Sequence, residues 1–419
     1  MFIKRNIEDL IKEYSNEFAC LTIYGARQVG KSTVLDMIFG DSYRKVTLDD
    51  IRDRNLAKSN PKLFLETYGW PLIIDEIQKA PELLSEIKIL IDKQKLFWNK
   101  NDLPYELMYI LTGSNQFELQ ESVSESLAGR TAIINMASLS YNEIVENKSY
   151  SAFNPDINVL KEKERKYHPE YRTRKEIFED IFKGGMPEYI AHNKDREKFF
   201  SSYINTYLEK DIRKLVSVDN EVTFVRFLEY IALRTACQID YSDVANAIGI
   251  DVRTVKRWIS ILSTSGIIVL LEPYMKNVSD RIVKTPKLYF MDTGLCAYLC
   301  KWPNAEMIEK GIMSGAFYET YVVSEIIKSY YNNQSFYHLP LYYYRDKDQK
   351  EVDLIVETIE GIYPIEIKKG INPVSSTKNF RVLSKYKKPI LKGLVIDSCE
   401  KIFPINEDVY YCPISLIGL

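Results

Sequence analysis

Histidine is scarce in this chain, with three among 419 residues. The six cysteines (Cys20, Cys237, Cys296, Cys300, Cys399 and Cys412) are scattered and include no C-x-x-C pair. That spacing argues against a zinc centre and a disulfide framework, and it fits reduced core thiols in a cytoplasmic protein. Long apolar runs are missing too. Nothing approaches the roughly eighteen residues of a membrane span, and Met1-Phe-Ile-Lys-Arg5 lacks the order of a signal peptide. Neither sign of charge is in excess, with 56 Lys and Arg against 58 Asp and Glu. A net charge of −2 does not drive the whole molecule onto DNA or an anionic membrane, so any nucleic-acid contact has to come from a local patch. No internal repeat or low-complexity tract is visible. Hydrophobic residues, at 46%, are ample for real cores, and the length suits about two to four domains.

Against that background one stretch stands out. Gly25-Ala26-Arg27-Gln28-Val29-Gly30-Lys31-Ser32 fits G-x-x-x-x-G-K-[ST] without a mismatch, and Thr33 follows it. The apolar run Cys20 to Tyr24 reads as a buried strand entering the loop. Lys31 to Phe39 reads as the helix leaving it, with Val34, Leu35 and Ile38 on one face. Two glycines let the backbone turn several N–H groups toward one phosphate, and the helix N-terminus adds its positive end. Lys31 is placed for the β/γ-phosphates and the Ser32 hydroxyl for Mg²⁺. A nucleoside triphosphate is the expected ligand. Fifty residues on, the strand Pro71-Leu-Ile-Ile-Asp75-Glu76 ends in two acids, costly to bury unpaired. Beside a triphosphate they have work to do: Asp75 to hold the Mg²⁺ shell, Glu76 to orient and deprotonate the attacking water.

A further strand, Glu106 to Leu111, runs into Thr112-Gly-Ser-Asn115. Here the chain resembles the AAA+ ATPases. The resemblance implies a polar residue closing this strand that senses the γ-phosphate: Asn115, with Ser114 or Thr112 close behind. It also implies that Arg130, before the strand Ala132 to Met136, is the arginine brought to the γ-phosphate from the same or a neighbouring subunit. Strand–helix alternation from residue 18 to about 140 predicts a parallel sheet with helices on both faces. From about 141 to 220 charged helices are expected. Lys161 to Lys166 and Tyr171 to Lys175 read as solvated faces or a linker, secondarily as a basic contact surface, and Gly184-Gly-Met-Pro187 as a turn between helices.

Tyr241 to Gly249 reads as a short amphipathic helix with Ser242 as N-cap, followed by a second helix from Val252 to Ser263. Val252, Val255, Ile259 and Leu262 recur at core spacing, while Arg253, Lys256 and Arg257 fall on the other side. This is the pattern of a helix-turn-helix with a basic outer face for a DNA major groove. Gly266 to Leu271 and Lys287 to Phe290 read as a two-stranded wing, and the segment resembles winged-helix domains, which bind DNA or protein partners.

In the last third, Glu351-Val-Asp353 leads one strand and Tyr363-Pro-Ile-Glu366-Ile-Lys368 forms another. Glu366 and Lys368, two apart in a strand, share a face, and a hairpin about Gly361 brings Asp353 to them. These residues resemble the PD-(D/E)xK nuclease superfamily, with Val352 where the name calls for proline. The resemblance implies that Asp353, Glu366 and the upstream Glu319 bind Mg²⁺ while Lys368 assists water attack on a phosphodiester. Cross-strand salt bridges on a solvated sheet would give the same residue pattern.

Taken together, the chain resembles prokaryotic AAA-family ATPases that carry a C-terminal domain of unknown function built from a winged helix and a PD-(D/E)xK-like fold. The expected fold class is α/β. A P-loop domain at 1–148 is followed by a helical lid or linker at 149–222, a winged helix at 223–302 and a nuclease-like domain at 303–419. The expected partners are ATP with Mg²⁺ and DNA, with no membrane and a possible second copy of the chain. ATP rather than GTP is what the resemblance implies. The expected function is ATP-controlled DNA engagement; the alternative is an ATP-driven switch or scaffold whose C-terminal half binds a protein and cleaves nothing.

Overall fold

The computed structural model describes residues 2–113, 126–207, 221–275, 285–333, 338–370 and 376–419. The chain divides into two compact units. One is Met1–Leu139 with Thr264–Gly266 and Tyr331–Ser335; the other holds the remainder.

In the first unit five strands, β1 (Cys20–Tyr24), β2 (Arg44–Thr47), β3 (Leu72–Asp75), β4 (Tyr109–Gly113) and β5 (Thr131–Asn135), form one sheet in the order β2-β3-β4-β1-β5. Every pairing in it is parallel. The inner strands β1, β3 and β4 are apolar at consecutive positions because both faces are covered, whereas the edge strand β2 buries only Val46. Leu21, Ile23, Ile73, Ile110 and Ile134 pack with Ile7, Ile11, Val34 and Leu35 of the helices Ile7–Ser15 and Lys31–Phe39. The alternate residues Tyr24, Leu72, Ile74, Tyr109 and Leu111 pack with Phe64, Leu83, Ile87 and Ile91 of Pro61–Tyr68 and Leu83–Lys100. The expected parallel sheet is present. Its fourth strand starts later than the sequence suggests, at Tyr109 instead of Glu106, because Tyr109 is the first residue that pairs with both Cys20 and Leu72. That shift carries Thr112 inside the strand.

The second unit begins with helices, among them Ile157–Tyr167, Arg174–Lys183, Pro187–His192 and Arg196–Tyr207. Gly184 closes the second of these at φ 71, and a Cβ there would lie 2.5 Å from Asp292 Oδ1. Asp292 accepts from the amides of Gly185 and Leu295, so Asp292-Thr-Gly-Leu295 fastens this turn to the start of the helix Thr293–Leu299. One part of the basic run expected at the surface is buried. Arg172 is 7% exposed, stacked 3.6 Å from the Tyr141 ring and paired with Asp180 and Tyr321.

Next come the helix Glu221–Ala232, strand β6 (Cys237–Gln238), the helices Tyr241–Ile248 and Val252–Thr264, and strands β7 (Ile268–Leu271) and β8 (Lys287–Phe290). The strands make an antiparallel sheet in the order β6-β8-β7. The first of the paired helices is capped by Asp240, whose carboxylate accepts from Ser242 N and Asp243 N, and not by Ser242, which lies one residue inside the helix.

The last part carries the helix Ser314–Asn333 and six strands: β9 (Leu341–Arg345), β10 (Glu351–Glu357), β11 (Ile362–Ile367), β12 (Gly393–Asp397), β13 (Phe403–Pro404) and β14 (Val409–Pro413). Their order is β13-β14-β12-β11-β10-β9. Strands β9 to β11 form an antiparallel meander, and β12 joins β11 in parallel after the helical segment Ser376–Lys385. Among the described residues no helix is long and apolar enough to cross a membrane.

Candidate functional site

The loop after β1 sits where parallel strands end and a helix begins. Gly25 cannot carry a side chain, since a Cβ would stand 2.2 Å from the Met136 carbonyl oxygen just past β5. Gly30 takes φ 93 at the N-cap of Lys31–Phe39, a conformation that glycine adopts without steric cost. Val29 is buried, and its carbonyl accepts from Arg5 Nη1 at 2.7 Å. The other arm of Arg5 donates to Ala137 O at 2.8 Å, so one buried guanidinium ties the loop to the exit of β5. Nothing in the sequence pattern marks Arg5 for this task.

Lys31 lies back along the loop, its ammonium donating to Gly25 O at 2.7 Å and Ala26 O at 2.9 Å. Ser32 Oγ donates to Asp75 Oδ2 at 3.3 Å, and the buried Thr112 hydroxyl donates to Asp75 Oδ1. Three residues from three separated segments therefore converge at the C-terminal end of the sheet. Of the candidates for the residue that closes β4, Thr112 makes this contact, whereas Ser114 and Asn115 lie outside the described residues. Glu76 follows with φ 58, a left-handed conformation that is uncommon for a residue with a side chain and is found often at functional sites. Its carboxylate accepts from Gln78 Nε2.

Arg130 is elsewhere. Cys20 pairs with Thr131, so Arg130 stands at the N-terminal end of the strands while Gly25 follows their C-terminal end. Five residues at ~3.3 Å each put ~16 Å between them, which corrects the expectation that Arg130 reaches the loop of its own subunit. Its guanidinium grips Asp92 at 2.6 and 2.9 Å. The string Asn99-Lys100-Asn101-Asp102, which has the form of a guanine-specificity motif, leads toward the start of β4, away from the loop.

On Val252–Thr264, Arg253, Lys256 and Arg257 are all exposed. The buried face is Val255, Trp258, Ile259, Ile261 and Leu262. Val252 is 37% exposed and does not belong to it, and Trp258, missed by the expected spacing, is its centre. The Trp258 ring meets Phe224 and Phe227 edge-on at 5.0 and 5.1 Å.

The hairpin about Gly361 is present. Leu354 pairs with Ile365, and one further step of that register sets Asp353 across from Glu366. Lys368 Nζ lies 2.6 Å from Glu366 Oε1 and 3.7 Å from Asp353 Oδ2. Asp353 Oδ2 also accepts from the Ile367 amide at 2.9 Å, while Glu366 Oε2 is buried without a hydrogen-bond partner. Burial, reinforced by the Asp353 charge, pushes the Glu366 carboxyl up to about 8. Burial alone would depress Lys368, but Asp353 and Glu366 outweigh it and hold the ammonium above its ordinary range.

Glu319 does not join them as a free acid. Its Oε1 accepts from Lys287 Nζ and from Tyr289 OH, each at 2.6 Å. Lys287 also donates to Glu351 Oε1 at 2.6 Å. Burial pushes Glu319 up to about 7 even though Lys287 pulls the other way. Among the described residues no three acids, histidines or cysteines stand in position to hold a metal ion. Glu319, Asp353 and Glu366 lie near enough to raise one another's proton affinity, with the Lys287 ammonium seated on the first of them.

Residues 17–145 match the AAA domain family. With the parallel sheet and the loop at its C-terminal edge, this decides the first unit. It has the fold of a P-loop AAA ATPase domain. Two domains of unknown function match later segments, DUF8612 over 174–306 and DUF4143 over 314–417. Uncharacterized proteins of Mycobacterium tuberculosis and Mycobacterium bovis are each 24% identical over 396 residues, spanning 94% of this chain and 79% of theirs. Solved structures overlap more loosely. A Walker-type ATPase of Pyrococcus abyssi is 16% identical with a TM-score of 0.42, over 71% of this chain and 96% of that one. Cdc6p from Pyrobaculum aerophilum is 12% identical with a TM-score of 0.25, over 71% and 92%.

Proposed function

We propose that this protein binds and hydrolyses ATP in its AAA domain and uses the nucleotide state to control how its C-terminal half engages DNA. The observation that carries the nucleotide part is the meeting of Ser32, Asp75 and Thr112 beneath the loop. A hydroxyl and a carboxylate 3.3 Å apart, with the carboxylate's second oxygen fixed, suit Mg²⁺ as ligands, directly or through water. When bound, the ion offsets phosphate charge. Gly25 to Thr33 wrap the phosphates, Lys31 leaves its loop carbonyls for the β/γ-phosphates, and Thr112 keeps Asp75 aimed at Ser32. Glu76 is the base that orients and deprotonates water, with Gln78 holding its carboxylate. Asn115 remains the candidate γ-phosphate sensor. Arg130, out of reach of its own loop, serves the site of another copy.

In the second unit, helix–strand–helix–helix–strand–strand with a three-stranded sheet supports a winged helix. Its second paired helix turns Arg253, Lys256 and Arg257 outward to phosphates and base edges. One helix, an antiparallel meander and a parallel strand after a helical segment support a nuclease-like fold in residues 303–419. There Asp353, Glu366 and Lys368 are the candidate cleavage residues, with Lys368 the group that would orient water. A second reading has its own observation: Lys287 sits on Glu319 where a third metal-binding carboxylate is needed, which favours a scaffold that cleaves nothing. Supercoiled plasmid with Mg²⁺ or Mn²⁺, with and without ATP, separates them. Nicking that disappears in Asp353→Ala/Lys368→Ala supports the nuclease; intact plasmid with ATP still hydrolysed supports the scaffold.

A further inference from the structure

Part of the carboxylate cluster around Asp353 is met by cations of the chain itself. Lys287 and Tyr289, two residues apart on β8, face the same way, and both reach Glu319. The Lys287 side chain is 4% exposed, and its ammonium lies 2.6 Å from both Glu319 and Glu351. Arg345 adds a third cation, 3.5 Å from Glu351. Four carboxylates (Glu319, Glu351, Asp353, Glu366) thus meet three cations (Lys287, Lys368, Arg345), leaving one formal negative charge. Without Lys287 two would remain, the charge a divalent ion supplies. A lysine this buried is costly unless its partners are fixed, and here they sit on two other elements, the helix Ser314–Asn333 and β10.

We infer that the Lys287 ammonium is a built-in cation occupying the seat at Glu319 and Glu351, so that Glu319 is a partner for lysine and not a metal ligand. This deepens the reading of residues 303–419 as a nuclease-like domain and narrows any cation in the native chain to the Asp353–Glu366 side, where Glu366 Oε2 has no partner. It also makes the contact between β8 and the sheet electrostatic. The central strand of the three-stranded sheet in 223–302 carries the charge that completes the carboxylate cluster.

The test is thermal unfolding of the full chain without nucleotide, with and without Mn²⁺. Lys287→Met keeps most of the apolar stem and removes the charge, so its midpoint should fall. Mn²⁺ should restore several degrees of it by taking the vacated seat, beyond any shift in the native chain. If the variant folds only poorly, Mn²⁺ in the refolding buffer should recover it. The triple variant Lys287→Met/Glu319→Gln/Glu351→Gln should fold without Mn²⁺ and lose that extra response. Glu319→Gln alone should leave the native chain's response to Mn²⁺ unchanged. No rescue of Lys287→Met, rescue that survives in the triple variant, or a native Mn²⁺ response abolished by Glu319→Gln would each overturn the inference. Plasmid cleavage is read separately: cation rescue without cleavage keeps Lys287 in its seat and discards the nuclease.

Discussion

Reversing Arg253, Lys256 and Arg257 to glutamate asks whether the exposed side of Val252–Thr264 is a DNA surface. All three are exposed and none belongs to the buried face of Val255, Trp258, Ile259, Ile261 and Leu262. Stability should therefore barely move, since surface changes of this kind cost within about 0.5 kcal/mol each. DNA binding should change far more. If each cation neutralises one phosphate, the three supply ~2.7 of the slope of log K against log salt, at ~0.9 per phosphate. Over a fourfold rise in salt that slope is worth about 40-fold in affinity, so native binding should weaken about 40-fold more than that of the variant. Fluorescence anisotropy with a labelled duplex at two salt concentrations measures it. The inward face supplies the control. Trp258→Ala removes a ring that is 1% exposed and wedged between Phe224 and Phe227, and should cost about 3–5 kcal/mol in urea unfolding. Equal affinity and equal slope in the folded triple variant would refute the DNA assignment and turn this helix into a protein-docking surface.

Four other outcomes follow from the same geometry. Lys31→Ala should abolish tight ATP binding by calorimetry, and unchanged affinity would remove the loop assignment. Glu76→Gln should bind ATP but turn over at least ten times more slowly in a phosphate-release assay; near-normal turnover would remove Glu76 as the base. If Arg130 serves another copy, turnover per chain should rise with protein concentration and Arg130→Ala should flatten the rise, whereas concentration-independent turnover would contradict it. The Cys20 thiol, which burial pushes up to about 12, should resist a thiol reagent at pH 8 in the folded protein and react on unfolding.

The parts legible in the sequence were those fixed by local spacing. Gly25 to Ser32 lie within one turn of chain, and the loop sits where β1 ends. Asp75 and Glu76 close an apolar strand, and Lys287 to Phe290 form a strand with the expected bounds. The basic residues of Val252–Thr264 were legible from helical period alone. The features hidden from the sequence depend on contacts across long stretches of chain. Arg5 acts on Val29 and Ala137, 24 and 132 residues away. Lys287 acts on Glu319 and Glu351, 32 and 64 away. A lysine opening an otherwise apolar strand was the available signal, and its partner could not be read from spacing. For Arg130 sequence order shows that it precedes β5 but not that this end of the sheet lies opposite the loop, which bears on the same-subunit alternative and leaves the neighbouring-subunit one open.

The central claim is that nucleotide state governs DNA engagement. Its most direct test is the DNA affinity of the Glu76→Gln protein at one fixed salt concentration, loaded with ATP, with ADP, or with neither. A difference of at least tenfold between the ATP and ADP states is predicted, corresponding to a coupling of about 1.4 kcal/mol between the two sites. The same affinity in all three states, with ATP demonstrably bound, would contradict the account.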